Sequence, residues 1–218
     1  MARFASDVDI LRYEPVLFGE LHLRSQVRAA GIGAVLSGTT LTAESADFVN
    51  AGVGAGSVVY LRSDDGVPDG AYEIVSVEGA TELTLSVLRA NPDDDPIAPP
   101  AAESVSYRIS TFDPQAIETA CELTAYFGIQ PGNPASAIDV EQVTDTTVLR
   151  RASVFAVISA VYAMWAGEAK SENLWKKSLH YRKHFEQARR QCRLSVDLGA
   201  DGIADVTAVG SAIKLVRD

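Results

Sequence analysis

The spacing of hydrophobic and polar positions changes twice along this chain. From Gly31 to about Ile109 it has period two. Runs at Ala34–Leu36, Thr39–Thr42, Ser57–Arg62, Ala71–Glu78, Glu82–Leu88 and Ser104–Ile109 are rich in Thr, Val, Ile and Tyr, with Gly, Asp, Asn and Pro between them. That grammar predicts short strands, with turns at Asp69-Gly70 and Glu78-Gly79. Strands this short and this closely spaced predict a small antiparallel β-barrel or sandwich.

On either side the spacing is three and four. Ser6 to Asp9 predicts a short capped helix, and Pro15 sits where a second helix tolerates it, in its first turn. Val16 to Ala30 reads as helix, although the alternation at Leu21-His-Leu-Arg also suits a strand. After the strands, Asp113 before Pro114 is a strong start signal, and Gly128 and Pro131 a stop. Gln130 to Val143, with Gly132 and Pro134, reads as a loop. Thr147 to Gly167 is the most apolar helix, with Phe155, Tyr162 and Trp165 on its inner side. Its Ala152–Gly167 core is shorter than the ~20 residues of a membrane span. Ser171 then caps a helix whose apolar or small stripe is Leu174, Ser178, Tyr181, Phe185, Ala188 and Cys192. That helix is expected to end near Leu194. Beyond it lie an Asp- and Gly-rich turn, Asp197–Asp205, and a strand-like tail.

The expected fold is therefore α+β: mainly an α-helical bundle, residues 1–30 and 111–205, with the β module, 31–110, inserted, and an extended tail, 206–218. Insertion requires the two ends of the inserted module to lie close together.

Charge sharpens this division. The chain of 218 residues carries a formal net charge of −10. The β module alone has twelve acidic residues against three basic ones, a net of −9. Such a balance argues against a general nucleic-acid binder. Residues 168–195 go the other way, with eight basic against three acidic residues. Lys176, Lys177, Lys183, Arg189, Arg190 and Arg193 form a basic helix face there. It reads either as a solvated face or as a docking surface for acidic protein, perhaps the β module of a neighbouring copy, with DNA contact third. Cys121 and Cys192 have no metal spacing and read as buried free thiols. The N-terminal residues have no secretory h-region.

No catalytic motif is present, and no enzyme, cofactor or metal is expected. Ala51-Gly-Val-Gly-Ala-Gly56 lacks the strand and long helix of a dinucleotide site. His180 and His184 share a helix face at metal-like spacing, but Arg182 and Lys183 lie between them and no carboxylate does. Asp197, Gly199, Asp201, Gly202 and Asp205 follow a calcium-loop spacing without its closing Glu, so a turn held by its own Asp side chains is the better reading.

Several of these stretches resemble head–tail connector (adaptor, or head-completion) proteins of tailed bacteriophages. They are Tyr181-Arg-Lys-His-Phe185, Ala188-Arg-Arg190, Asp197–Asp205 and the terminal Ala-Ile-Lys-Leu-Val-Arg-Asp. Asp9-Ile-Leu-Arg-Tyr-Glu-Pro15, Gly38–Thr42 and Asp47–Val53 are similar too, while Gly199 departs from the acidic residue usual in that turn. The resemblance implies a structural virion protein of the neck, assembled in the host cytoplasm. It implies a homo-oligomeric ring, usually of twelve copies, beneath the portal protein and above a tail-side neck protein. Double-stranded DNA would pass through without specific binding, and an acidic surface suits such a channel. No membrane is implied. Alternatives are a stopper or tail terminator, or a calcium- or carbohydrate-binding module. The tail is expected to add as a strand to the portal or a neighbouring subunit, with Ile213 and Leu215 as anchors and Arg217 at the rim; packing back onto its own bundle is the other reading.

Overall fold

The period-two stretch closes on itself. In the computed structural model, which describes residues 3–130, 133, 136, 138–199, 201–210 and 212–215 (the last four by backbone alone), six antiparallel strands form a barrel. They are β1 (Val27–Ser37), β2 (Thr40–Thr42), β3 (Val58–Arg62), β4 (Asp69–Val77), β5 (Glu82–Ser86) and β6 (Ala102–Ser110), in the order β1-β2-β5-β4-β3-β6. Pairing of β6 with β1 completes the closure and removes the free edges. Leu36, Leu41, Val59, Leu61, Ile74, Leu83, Leu85, Val105 and Ile109 alternate inward and are fully buried. Phe48 plugs the interior from the turn after β2, edge-on to the Tyr107 ring at 5.7 Å. Glu73 and Arg89 form a buried ion pair at 2.7 Å, and the hydrogen bond that Arg89 donates to the Glu73 carboxylate pushes the arginine pKa up.

The chain divides into two units, Ser6–Phe112 and Met1–Ala5 with Asp113–Asp218. Residues 6–30 therefore belong with the barrel, where a place in the helical bundle was expected. Helix α1 (Asp7–Leu11) carries a full capping box between Ser6 and Asp9. Leu17 and Phe18 are buried, Phe18 meets Phe112 edge-on at 5.2 Å, and Arg108 donates to the carbonyls of Phe18 and Gly19. The expected helix over 16–30 is instead two short 3₁₀ turns, Pro15–Leu17 and Arg24–Gln26, followed by β1. Buried Asp7 accepts the Phe112 N–H at 2.8 Å, so the two ends of the barrel unit meet as an inserted unit requires.

In the second unit, α2 (Asp113–Tyr126) ends where Gly128 takes φ +75° and Ile129 N–H reaches back to the Thr124 carbonyl. Helices α3 (Arg150–Ala169) and α4 (Glu172–Gln191) form an antiparallel hairpin joined through Lys170, in the left-handed region, and Ser171, which caps α4. Ala152 to Ser159 are buried without interruption, so α3 is apolar all round and central. With the 3₁₀ turn before it, Thr147–Ala169 is long and apolar enough to cross a membrane, exceeding the expected length, and 61% of its apolar window is buried within the protein. Ser159 and Ser178 exchange hydrogen bonds with each other's carbonyls at 3.0 and 2.9 Å, which brings the two backbones close. Phe155, Tyr162 and Phe185 are buried in the hairpin, whereas Trp165 and Leu174 are half-buried.

The fold is thus α+β, but the mainly helical bundle is overturned. A closed barrel with its N-terminal extension makes up one unit, and the other unit adds a sheet to its helices. That sheet has β7 (Leu194–Val196), β8 (Val206–Val209) and β9 (Ala212–Leu215) in sequential antiparallel order. Helix α4 stops at Gln191 because Leu194 and Val196 are buried as strand residues, three positions earlier than expected. Replacing Ser6–Phe112 with a short Gly-Ser linker is expected to leave a soluble protein with a helical far-ultraviolet dichroism spectrum. A random-coil spectrum would show that the helical unit needs the barrel to fold.

Candidate docking surface

Helix α4 sets this surface. Its apolar stripe packs on α3 as the spacing predicts, with Ser178 and Phe185 buried and Leu174, Tyr181 and Ala188 half-buried. The six basic positions then separate into three groups. Lys177 donates to the Tyr162 hydroxyl at 2.9 Å and lies over that ring, and Arg189 stacks on Tyr126 and Phe185 with Glu122 at 3.5 Å. Lys176 pairs with Glu172 at 2.8 Å on the exposed surface. Lys183, Arg190 and Arg193 are exposed, with no partner among the described residues. Lys176, Lys183 and Arg190 recur every seven residues and so form one ridge on the side of α4 opposite its buried stripe. The basic face is therefore partly structural. Lys177 and Arg189 hold the helix, and Lys183 and Arg190 remain available.

Beside this ridge runs a groove of about 690 Å³ bounded by α2, α3 and α4. Its apolar floor includes Met164, Trp175 and Leu179, which are 48%, 50% and 52% exposed. Glu118 lies on the α2 wall, and Arg182 on the α4 wall reaches Glu122 and Glu186 at 3.5 Å each. This groove was missed in the sequence. The available signal was that Trp175 and Leu179 lie off the apolar stripe, where a soluble helix ordinarily carries polar residues. Three large apolar side chains half in water along one groove make it the candidate contact surface of this unit.

The other candidates are structural in this fold. His180 and His184 hydrogen-bond to each other through Nε2 atoms 3.1 Å apart, and the His184 ring lies against Phe155. Asp197 accepts from the Asp201 and Gly202 N–H groups, and Asp205 from those of Leu198 and Gly199, so both carboxylates hold the turn. Among the described residues no cluster of three or more His, Cys, Asp or Glu is placed to hold a metal ion. Cys192 is buried, contacts the Val148 carbonyl at 3.1 Å, and burial pushes its thiol pKa up. Cys121 is half-buried.

The tail pairs within its own chain. β9 lies against β8, with Ile213 opposite Ala208 and Leu215 opposite Val206. Its backbone is thus partnered without a neighbouring subunit, because the turn at Gly210 folds it back antiparallel. The side chains of Ile213 and Leu215 lie outside the described residues, as do Arg217, Pro131, Gly132 and Pro134.

No protein-family model, no curated protein and no solved structure matches this chain.

Proposed function

We propose that this protein is a structural subunit of the neck of a tailed bacteriophage, a head–tail adaptor. Copies would assemble as a ring, of the order of twelve, beneath the portal protein and pass the DNA channel on to a tail-side neck protein. The observation that carries this reading is the surface of α4: a cationic ridge beside an open apolar groove, a form suited to holding protein. The residues that carry the resemblance, Tyr181–Phe185 and Ala188–Arg190, fall on this same helix. The strongly acidic barrel unit is consistent with a channel component, since DNA is repelled by like charge and slides without sticking.

The test is genetic. Disrupting this coding sequence in its phage should yield DNA-filled heads and complete tails that do not join, and supplying the protein should restore joining. Normal joined particles in its absence would refute the adaptor role.

A further inference from the structure

The barrel unit carries a feature complementary to the α4 surface. Between β5 and β6 the chain runs Asn91-Pro-Asp-Asp-Asp-Pro-Ile97, and every one of these residues is exposed. Three consecutive carboxylates therefore stand beside Ile97, which is 55% exposed. This knob is not loose. Arg89, held by its buried pair with Glu73, donates to the Asp94 carbonyl at 2.6 Å, and Asn91 N–H is accepted by the Asp94 carboxylate at 3.2 Å. On the far side, Ile97 N–H donates to the Ser86 hydroxyl at 2.8 Å, and its carbonyl accepts from Val87 N–H at 2.9 Å. A loop pinned at both ends holds its backbone in one arrangement and loses little backbone freedom on binding.

We propose that this acidic knob of one copy docks on the α4 surface of a second copy. Asp93 and Asp95 meet Lys183 and Arg190, and Ile97 enters the groove against Trp175 and Leu179. Charge decides the occupant. The chain presents three consecutive carboxylates on a pinned loop with an adjacent apolar side chain, and separately a cationic ridge, on which Lys183 and Arg190 have no partner among the described residues, beside an apolar groove. Glu118 on the α2 wall repels carboxylates, so the acidic triplet lies toward α4 and the isoleucine toward the floor. A contact between two different patches is head-to-tail, and repeating it produces a ring where the rotation closes. The inference deepens the adaptor reading by naming the contact between copies, and it stands or falls on a separate result.

Sedimentation velocity on the full chain tests it. Two charge-reversed proteins are needed: Lys183→Glu with Arg190→Glu, and Asp93→Lys with Asp95→Lys, each verified as folded by circular dichroism. Wild-type protein is expected to associate, and each variant to sediment as a monomer at the same concentration. An equimolar mixture of the two is expected to associate again, because each reversed patch then faces its opposite. Ile97→Ser should weaken association about tenfold, in line with loss of one buried aliphatic side chain. The proposal is overturned if wild-type protein stays monomeric at all concentrations, if the variants associate as wild type does, or if mixing restores nothing. Variants that still form rings would remove this contact and leave the adaptor reading untouched.

Discussion

Replacing Phe185 by alanine is expected to destabilise the helical unit by about 3–5 kcal/mol, the range for removing a fully buried aromatic ring. Phe185 is fully buried on the inner face of α4, and the Arg182 and Arg189 guanidinium groups lie 5.1 and 4.9 Å from its ring centre. Truncation leaves a cavity between α4 and its neighbours and removes the apolar surface on which Arg189 rests. Arg189 also stacks on Tyr126 of α2, 4.3 Å away, so the loss propagates from the α3–α4 hairpin to the third helix. Both tryptophans, Trp165 and Trp175, lie in this unit, so urea unfolding followed by tryptophan fluorescence reports on it selectively. A loss under about 1 kcal/mol, the range of surface substitutions, would mean that the ring is not in a packed core.

The second large effect is expected in the barrel. Glu73→Ala should cost about 3 kcal/mol, because it leaves the Arg89 guanidinium buried without its counter-charge. The side chains of the pair are only 7% and 5% exposed, and beyond Glu73 the Arg89 guanidinium donates to the Asp94 carbonyl and is near the Asp93 and Asp94 carboxylates. Replacing both residues by methionine should recover most of the loss, since a buried pair contributes little over apolar packing of similar volume. Hydrogen exchange distinguishes the variants. Amides of β4 and of the 89–97 loop should lose protection in Glu73→Ala and regain it at β4 in the double variant. Unchanged exchange in the single variant would show that Arg89 reaches water when its partner is removed.

The strands of the barrel were legible because β-branched and aromatic residues alternate with polar ones between turn residues. The first half of β1 was not. Gly31 and Gly33 look like breakers in a linear reading, yet both lie inside the strand where its register against β6 shifts. At Gly31 an added Cβ would sit 2.7 Å from the Tyr107 ring, so glycine is there for close approach. Gly33 takes φ +79° within the same irregularity. Neither reason is visible without the partner strand. The assignment of residues 6–30 to the helices failed for a related reason. Leu17 and Phe18 are spaced for either partner, and only tertiary contacts such as Phe18 with Phe112 decide between them. Asp69-Gly70 likewise read as a turn and is the start of β4.

The candidate surface was half legible. The basic face followed from composition and helical spacing. That Lys177 and Arg189 are occupied by aromatic rings was not legible, because Tyr162 and Tyr126 come from other helices. The tail is a strand, as its alternation indicated, and it pairs with β8 of its own chain. A lone strand needs an edge, and the sequence did not show that β7 and β8 supply one.

Electron microscopy of the purified protein, alone and mixed with portal rings, tests the proposed ring-forming adaptor role. Closed rings, or a distinct cap on one end of the portal, are the expected result. Protein that stays monomeric and leaves the portal bare at every concentration would contradict it.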